Sequence, residues 1–215
     1  MADLIIACLS QKGGVGKSTL ARLIARTYAV SGWTTKICDF NTTQLTSTHW
    51  AKIRKDAGIE PKIDAEAYNQ PTALTREDYN LIVADGRPDS DQSSLDIALR
   101  SNLVVIPTGL SLDDLQPQLA FAKELVAKGV PAERILFVLS KITDSKIAIA
   151  EARGYLAEFR VADQHLTLKH SYQKSQNHGY ALSEVQGLNT ARLEEVADLV
   201  AAEIVSMVTE LQEAA

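Results

Sequence analysis

The stretch from residue 9 to residue 19 reads LSQKGGVGKST, with Gly13, Gly14 and Gly16 set before Lys17, Ser18 and Thr19. Glycines at this spacing let a backbone bend until its N–H groups face phosphate oxygens, with Val15 carried inside the same loop. Lys17 is then placed to contact β- and γ-phosphates, Ser18 to ligate Mg²⁺, and Thr19 to donate to an α-phosphate. A helix opening here adds the partial positive charge of its N-terminus. One residue is surplus to this chemistry: Lys12, ahead of the glycines. Further on, LIVADG ends an apolar run with Asp85. That is the Walker B position, from which an acid holds Mg²⁺ through a water. The plain alternative for an acid at a strand end is a helix cap or turn former. Gly86 beside it gives the backbone freedom to swing towards a γ-phosphate.

These residues need strands and helices in a fixed order to meet. Short apolar runs (LIIACLS, TTKICDF, YNLIVADG, NLVVIPT, RILFVLSKI) alternate with stretches of helical period, the first from about Gly16 to Val30 and the second ending at Gly58. Continuous apolar runs between helices predict strands buried on both faces, hence an α/β doubly wound, mostly parallel sheet flanked by helices. PKIDAEAY and HLTLK read as further strands. From about Asn189 onwards, Leu193, Val196, Val200, Ile204, Met207, Val208 and Leu211 form one apolar stripe of a long helix. No linker interrupts the chain, so residues 1–215 are expected to form a single domain.

Composition narrows the class. At 46% hydrophobic and 23% charged residues, the chain is that of an ordinary globular protein rather than a disordered one. The net charge of -5 argues against a surface coated in nucleic acid, while leaving room for a local basic patch. Cys8 and Cys38 sit within apolar runs and read as reduced core residues, which fits a cytoplasmic location. No run is long enough for a membrane span, and the N-terminus lacks the basic and apolar regions of a signal peptide. Trp33 and Trp50 read as core or interface anchors.

KGGVGKST, with its lysine before the glycines, resembles the deviant Walker A signature of the ParA/MinD superfamily of P-loop ATPases. KICDFNTTQLTSTHW is similar to that family's second-strand segment, YNLIVADGRP to its Walker B strand, and SNLVVIPTGLSLDDL to its strand-Pro-loop-Asp element, which brings Pro107 into the nucleotide-binding set. The short length and the lack of an N-terminal helix-turn-helix extension most resemble the small, ParF-like plasmid-partition ParA proteins. The resemblance implies ATP/ADP and Mg²⁺ as cofactors and an ATP-dependent homodimer in which two nucleotides are sandwiched. Lys12 would then reach the partner's nucleotide while Lys17 serves its own. It also implies non-specific DNA binding, nucleoid association, and a small ParB-like centromere- or cargo-binding partner.

The family pattern breaks at residue 41. A D-x-D-P-Q-like run usually follows the second strand, and its second acid activates the attacking water. Here Asp39 matches the first acid, but Asn41 stands for the second and Thr42 for the proline. An amide orients a water without accepting its proton. Loss of such a base costs on the order of 10²–10⁴-fold in rate. Hydrolysis is therefore slow with turnover by exchange, or the amide marks a form that traps the ATP dimer. A third reading is that positioning dominates and the loss is small.

For DNA, the basic residues of the last third are Lys141, Lys146, Arg153, Lys169, His170, Lys174 and Arg192, interspersed with acids. A mixed surface like this is by itself an ordinary solvated face. The resemblance favours Lys169 and Lys174. Within the superfamily, a membrane-attached MinD type expects a basic C-terminal helix, whereas this chain ends VTELQEAA. A nitrogenase-iron-protein type expects cysteines on loops. A metabolic enzyme of the dethiobiotin synthetase type shares the loop and remains an alternative.

Overall fold

The protein is seen in a computed structural model that describes residues 2–75, 78–88, 92–185, 187 and 190–214. Among these, the strands are β1 (Leu4–Ser10), β2 (Thr35–Asp39), β3 (Asp64–Ala67), β4 (Leu81–Pro88), β5 (Leu103–Thr108), β6 (Ile135–Ile142), β7 (Arg160–Val161) and β8 (Leu166–Thr167). The helices are α1 (Lys17–Val30), α2 (Thr46–Asp56), α3 (Gln92–Arg100), α4 (Leu112–Ala127), α5 (Lys146–Tyr155), α6 (His170–Asn177) and α7 (Ala191–Glu213). Strand order is β3-β2-β4-β1-β5-β6-β7, with β8 also paired to β6. Every described ladder is parallel. The expected start of the last helix, Asn189, lies outside the described residues.

The apolar runs are continuous because both faces of the sheet are covered. In β1, Leu4, Ile6 and Cys8 pack towards α1, α2 and α7, whereas Ile5, Ala7 and Leu9 pack towards α3, α4 and α5. Cys8 and Cys38 are buried, outside any disulfide, on opposite faces. The stripe on α7 buries Val200, Ile204, Met207 and Val208, with Leu193 and Leu211 packed at its edges. No described helix is long and apolar enough to cross a membrane. From β1 the chain crosses to β2 on one side of the sheet, and from β4 it crosses to β5 on the other, and such a reversal beside the carboxyl end of β1 is where open α/β sheets place their ligand crevice.

Sequence periodicity does not mark α6, since only Tyr172 and Ser175 of its eight residues are buried. It is held by a polar hub. Arg54 of α2, 1% exposed, grips both carboxylate oxygens of Glu184 at 2.7 and 3.0 Å and donates to the carbonyls of Gly179 and Pro61. Arg22 and Arg54 each lie 5.5 Å from the centre of the Trp50 ring. Trp50 Nε1 donates to the Tyr180 carbonyl. Burial pushes the Glu184 carboxyl up, but the bonds from Arg54 and the Ala181 N–H outweigh it and the net shift is downward. Trp50 is thus a core anchor, and Trp33 packs edge-on against Tyr28 at 5.0 Å.

Removing one partner from a buried pair leaves the other charge uncompensated, at a cost of about 3–5 kcal/mol. Glu184→Ala is therefore expected to lower the free energy of unfolding, measured by urea denaturation, by that amount, with Arg54→Ala no worse in its presence than alone. Additive losses in the double variant would show that the two side chains act independently.

Candidate functional site

The loop between β1 and α1 is built around Gly16, the N-cap of α1, whose φ of 118° suits glycine. A Cβ at this position would lie 2.5 Å from Ser140 Oγ, so β6 presses directly on the loop. Lys17 is 7% exposed and its ammonium donates to the Lys12 carbonyl at 3.1 Å. A cavity of about 310 Å³ is lined by Gly13, Gly14, Gly16, Lys17, Ser18 and Thr19 of the loop, together with Arg22, Asn41, Gln44, Thr46, Gly86, Lys141 and the α6 amides Gln173, Gln176 and Asn177. Pro107 is buried beneath the loop, 3.9 Å from where a Cβ on Gly16 would sit, and Val15 is buried; neither lines the cavity.

Lys12 does not line the cavity either. Its ammonium pairs with Asp114 Oδ1 of α4 at 2.5 Å and lies 3.4 Å from the Asp113 carbonyl. That carbonyl is free because the residue four positions on is Pro117, which has no N–H to return the helical bond. Ser111 caps α4 and also donates to Asp114 Oδ2 at 2.7 Å. The backbone of Lys12 is tied to the same helix, since Ser10 Oγ accepts from the Lys12 N–H and from Gln118 Nε2.

Asp39 and Asp85 are neighbours in register across β2 and β4, 0% and 1% exposed. Asp39 is consumed by structure: its Oδ2 accepts from the Ser47 and Thr48 N–H groups and the Thr48 hydroxyl, which caps α2, and its Oδ1 accepts from the Asn41 N–H. Neither it nor Asp85 lines the cavity. Asp85 Oδ2 accepts from Ser47 Oγ at 2.6 Å, but Oδ1 is buried with no hydrogen-bond partner. Burial and the neighbouring Asp39 charge push the Asp85 pKa up to about 6, against the pull of the Ser47 and Ser18 hydroxyls and of Arg22. A bare carboxylate oxygen beside the Ser18 hydroxyl is an oxygen-only donor set, the kind a hard cation such as Mg²⁺ prefers. The residues fit that ion.

Asn41 lines the cavity, and its amide forms a local turn with Gln44: Oδ1 accepts from the Gln44 N–H at 3.2 Å and Nδ2 donates to Gln44 Oε1 at 3.0 Å. Arg22 is a cavity residue that the motifs do not reveal. Its Nη2 donates to the Thr46 carbonyl at 2.6 Å and its Nη1 to Gln176 Oε1 at 3.2 Å, while burial lowers its pKa to about 10. The available signal was its spacing, four residues after Ser18 and so on the same face of α1.

The basic residues of the last third do not form one cluster. Lys169 stands at the N-cap of α6, 3.6 Å from Asp144, and with His165 and Arg192 it lines a second cavity of about 500 Å³. Lys174 is exposed in the last turn of α6. Arg153 is engaged with Asp163. Lys141 departs from the group altogether, its ammonium donating to the Gly14 carbonyl of the phosphate loop at 2.8 Å.

Residues 6–207 match the sequence profile described as the CobQ/CobB/MinD/ParA nucleotide binding domain. No curated protein matches the sequence. Among solved structures, the chain is similar to a Borrelia burgdorferi protein described as a plasmid partition protein and bound to AMPPNP, with 17% identity, a TM-score of 0.70, and 94% of this chain and 98% of that one covered. A variant of Cyanothece McdA in complex with ATP gives 17%, 0.73, 95% and 98%. The septum site-determining protein MinD from Pyrococcus horikoshii, complexed with Mg-ADP, gives 14%, 0.69, 94% and 95%. At these identities the likeness is one of fold.

The raised pKa of Asp85 has a consequence in the ligand-free protein. Between the ordinary value of 3.8 and the folded value of about 6, the native state binds more protons than the unfolded one. Stability contributed by this group therefore falls as pH rises through that window, by about 3 kcal/mol in all. Asp85→Asn, which still accepts from Ser47, is expected to melt higher than the unsubstituted chain at pH 8 and to match it near pH 4. Equal pH profiles for the two would contradict the assignment.

Proposed function

The chain belongs to the CobQ/CobB/MinD/ParA nucleotide-binding family, and from that premise we propose that it is a ParA-type ATPase that closes into a dimer on ATP, binds DNA non-specifically in that state, and serves segregation of a plasmid or other cargo. The observation that carries this reading is the division of labour between two lysines. Lys17 lies in the cavity of its own chain, whereas Lys12 is absent from that cavity and held on α4.

The loop N–H groups and Lys17 bind the phosphates and orient them for in-line attack. When bound, Mg²⁺ supplies charge neutralisation between phosphate oxygens; Ser18 and Asp85 are the residues that would hold it. Thr19 donates to the phosphate nearest the ribose. Lys12 must release Asp114 to reach across to a second nucleotide. The anionic phosphates of two apposed nucleotides offer it a stronger field than one carboxylate, which makes ATP the driving ligand for closure. Asn41 positions water without taking its proton, so hydrolysis is the slow step and binding the fast one. Lys169 and Lys174, on or beside α6, are the residues proposed to meet DNA phosphates, joined by a ParB-like partner on the cargo.

Gel filtration with ATP, with and without DNA, tests the reading. Lys17→Ala is expected to lose nucleotide binding and dimer alike. Lys12→Ala should keep nucleotide binding, because its side chain lies outside the cavity, yet remain monomeric in ATP. A chain that is monomeric in ATP and indifferent to DNA would falsify the proposal. In a steady-state phosphate-release assay, Asn41→Asp should gain on the order of 10²-fold in rate. No gain would show that residue 41 does not limit turnover.

A further inference from the structure

Lys141 belongs to none of the nucleotide-binding motifs, yet three features of the fold converge on it. Its φ is 57°, in the left-handed region that strains a residue carrying a side chain. The ladder between β6 and β8 slips at the same point: Ser140 pairs with Leu166 and Ile142 with Thr167, leaving Lys141 as an extra residue. Such a bulge redirects the side chain out of the alternation of the strand. The ammonium then arrives 2.8 Å from the Gly14 carbonyl, 127 positions away in sequence, and Lys141 lines the cavity with Lys17, Arg22 and the α6 amides.

A lysine needs neither a bulge nor strain to find a carbonyl oxygen, since its stem is long and flexible. Backbone strain kept at a cavity wall points to a requirement for the charge at that place. The end of β6 is pressed against the loop, with Ser140 Oγ buried and unpartnered beneath Gly16, so the backbone at residue 141 has little room to relax. Burial and the nearby Arg22 both lower the Lys141 pKa, so the ammonium gains from an anion brought beside it.

We propose that Lys141 is a further phosphate-binding residue of the nucleotide site. With three donors, its ammonium keeps one on Gly14 and offers the others to the phosphate chain of a bound nucleoside di- or triphosphate. It thereby acts on the same chain's nucleotide, a third lysine beside Lys17 and the outward-held Lys12. The inference rests on the nucleotide reading above.

Lys141→Gly separates the two roles the residue could have, because glycine adopts the left-handed conformation without strain and preserves the bulge. Melting of the nucleotide-free protein, together with calorimetric titration of MgADP and MgATP, is the measurement. The expected result is an unchanged or higher melting temperature with affinity for both nucleotides weakened about tenfold or more, as for loss of a charge-assisted bond. Lys141→Arg should recover most of that loss. Unchanged affinity in Lys141→Gly would overturn the proposal. So would a loss of affinity accompanied by a fall in melting temperature, which would make Lys141 a staple of the loop. If the unsubstituted chain binds neither nucleotide, the ATPase reading fails first and takes this one with it.

Discussion

Asp39 and Asp85 stand side by side at the carboxyl ends of β2 and β4, both nearly inaccessible to water, and much of the site follows from keeping two like charges there. The protein resolves the conflict asymmetrically. Asp39 is surrounded by donors from the first turn of α2 and from Asn41, so its charge is matched by hydrogen bonds and a helix terminus. Asp85 keeps one oxygen bare and carries the strain as a raised pKa. A cation arriving beside Ser18 would satisfy that oxygen and relieve the repulsion at once. The same arrangement fixes the loop that bears Asn41, because Asp39 holds both ends of the residue 41–48 segment.

The phosphate loop is clamped from both sides by elements remote in sequence. α4 holds its entry through Ser10, Gln118 and the Lys12–Asp114 pair, and β6 supports its exit through Ser140 and Lys141. Pro117 takes part in this by removing an N–H, which leaves a carbonyl for Lys12 in a helix that otherwise runs unbroken from Leu112 to Ala127. Among the loop lysines, the cavity and α4 thus divide Lys17 from Lys12 by geometry, although both lie within six residues of chain.

A second line of contact runs from the cavity to α6. Arg22 touches Thr46, Gln176 and the Trp50 ring, and Trp50 in turn contacts Arg54 and Tyr180. Lys169 stands at the N-cap, and Lys174 in the last turn, of the helix that this hub supports. The polar hub is an expensive way to attach a helix, since each buried charge must be fully paired. It nevertheless supplies what α6 lacks in apolar surface.

The chain's own letters were enough for the parallel sheet, the positions of β1, β2, β4, β5 and β6 and the long α7, because apolar runs of strand length and a helical stripe are local patterns. They also sufficed for the glycine loop and its lysine, whose chemistry depends on spacing within a dozen residues. α6 and β7 were not legible, the first for want of an apolar stripe and the second for being two residues long. Nor could spacing tell that Asp39 would be spent on capping α2, that Pro107 would lie beneath the loop, or that Lys141 would leave the basic surface for the phosphate site. Each of those outcomes depends on a partner tens of residues or more away, or on a bulge created only when β6 and β8 pair. Local sequence determined which groups this protein has for holding phosphate; the packing of distant strands and helices decided which of them face it.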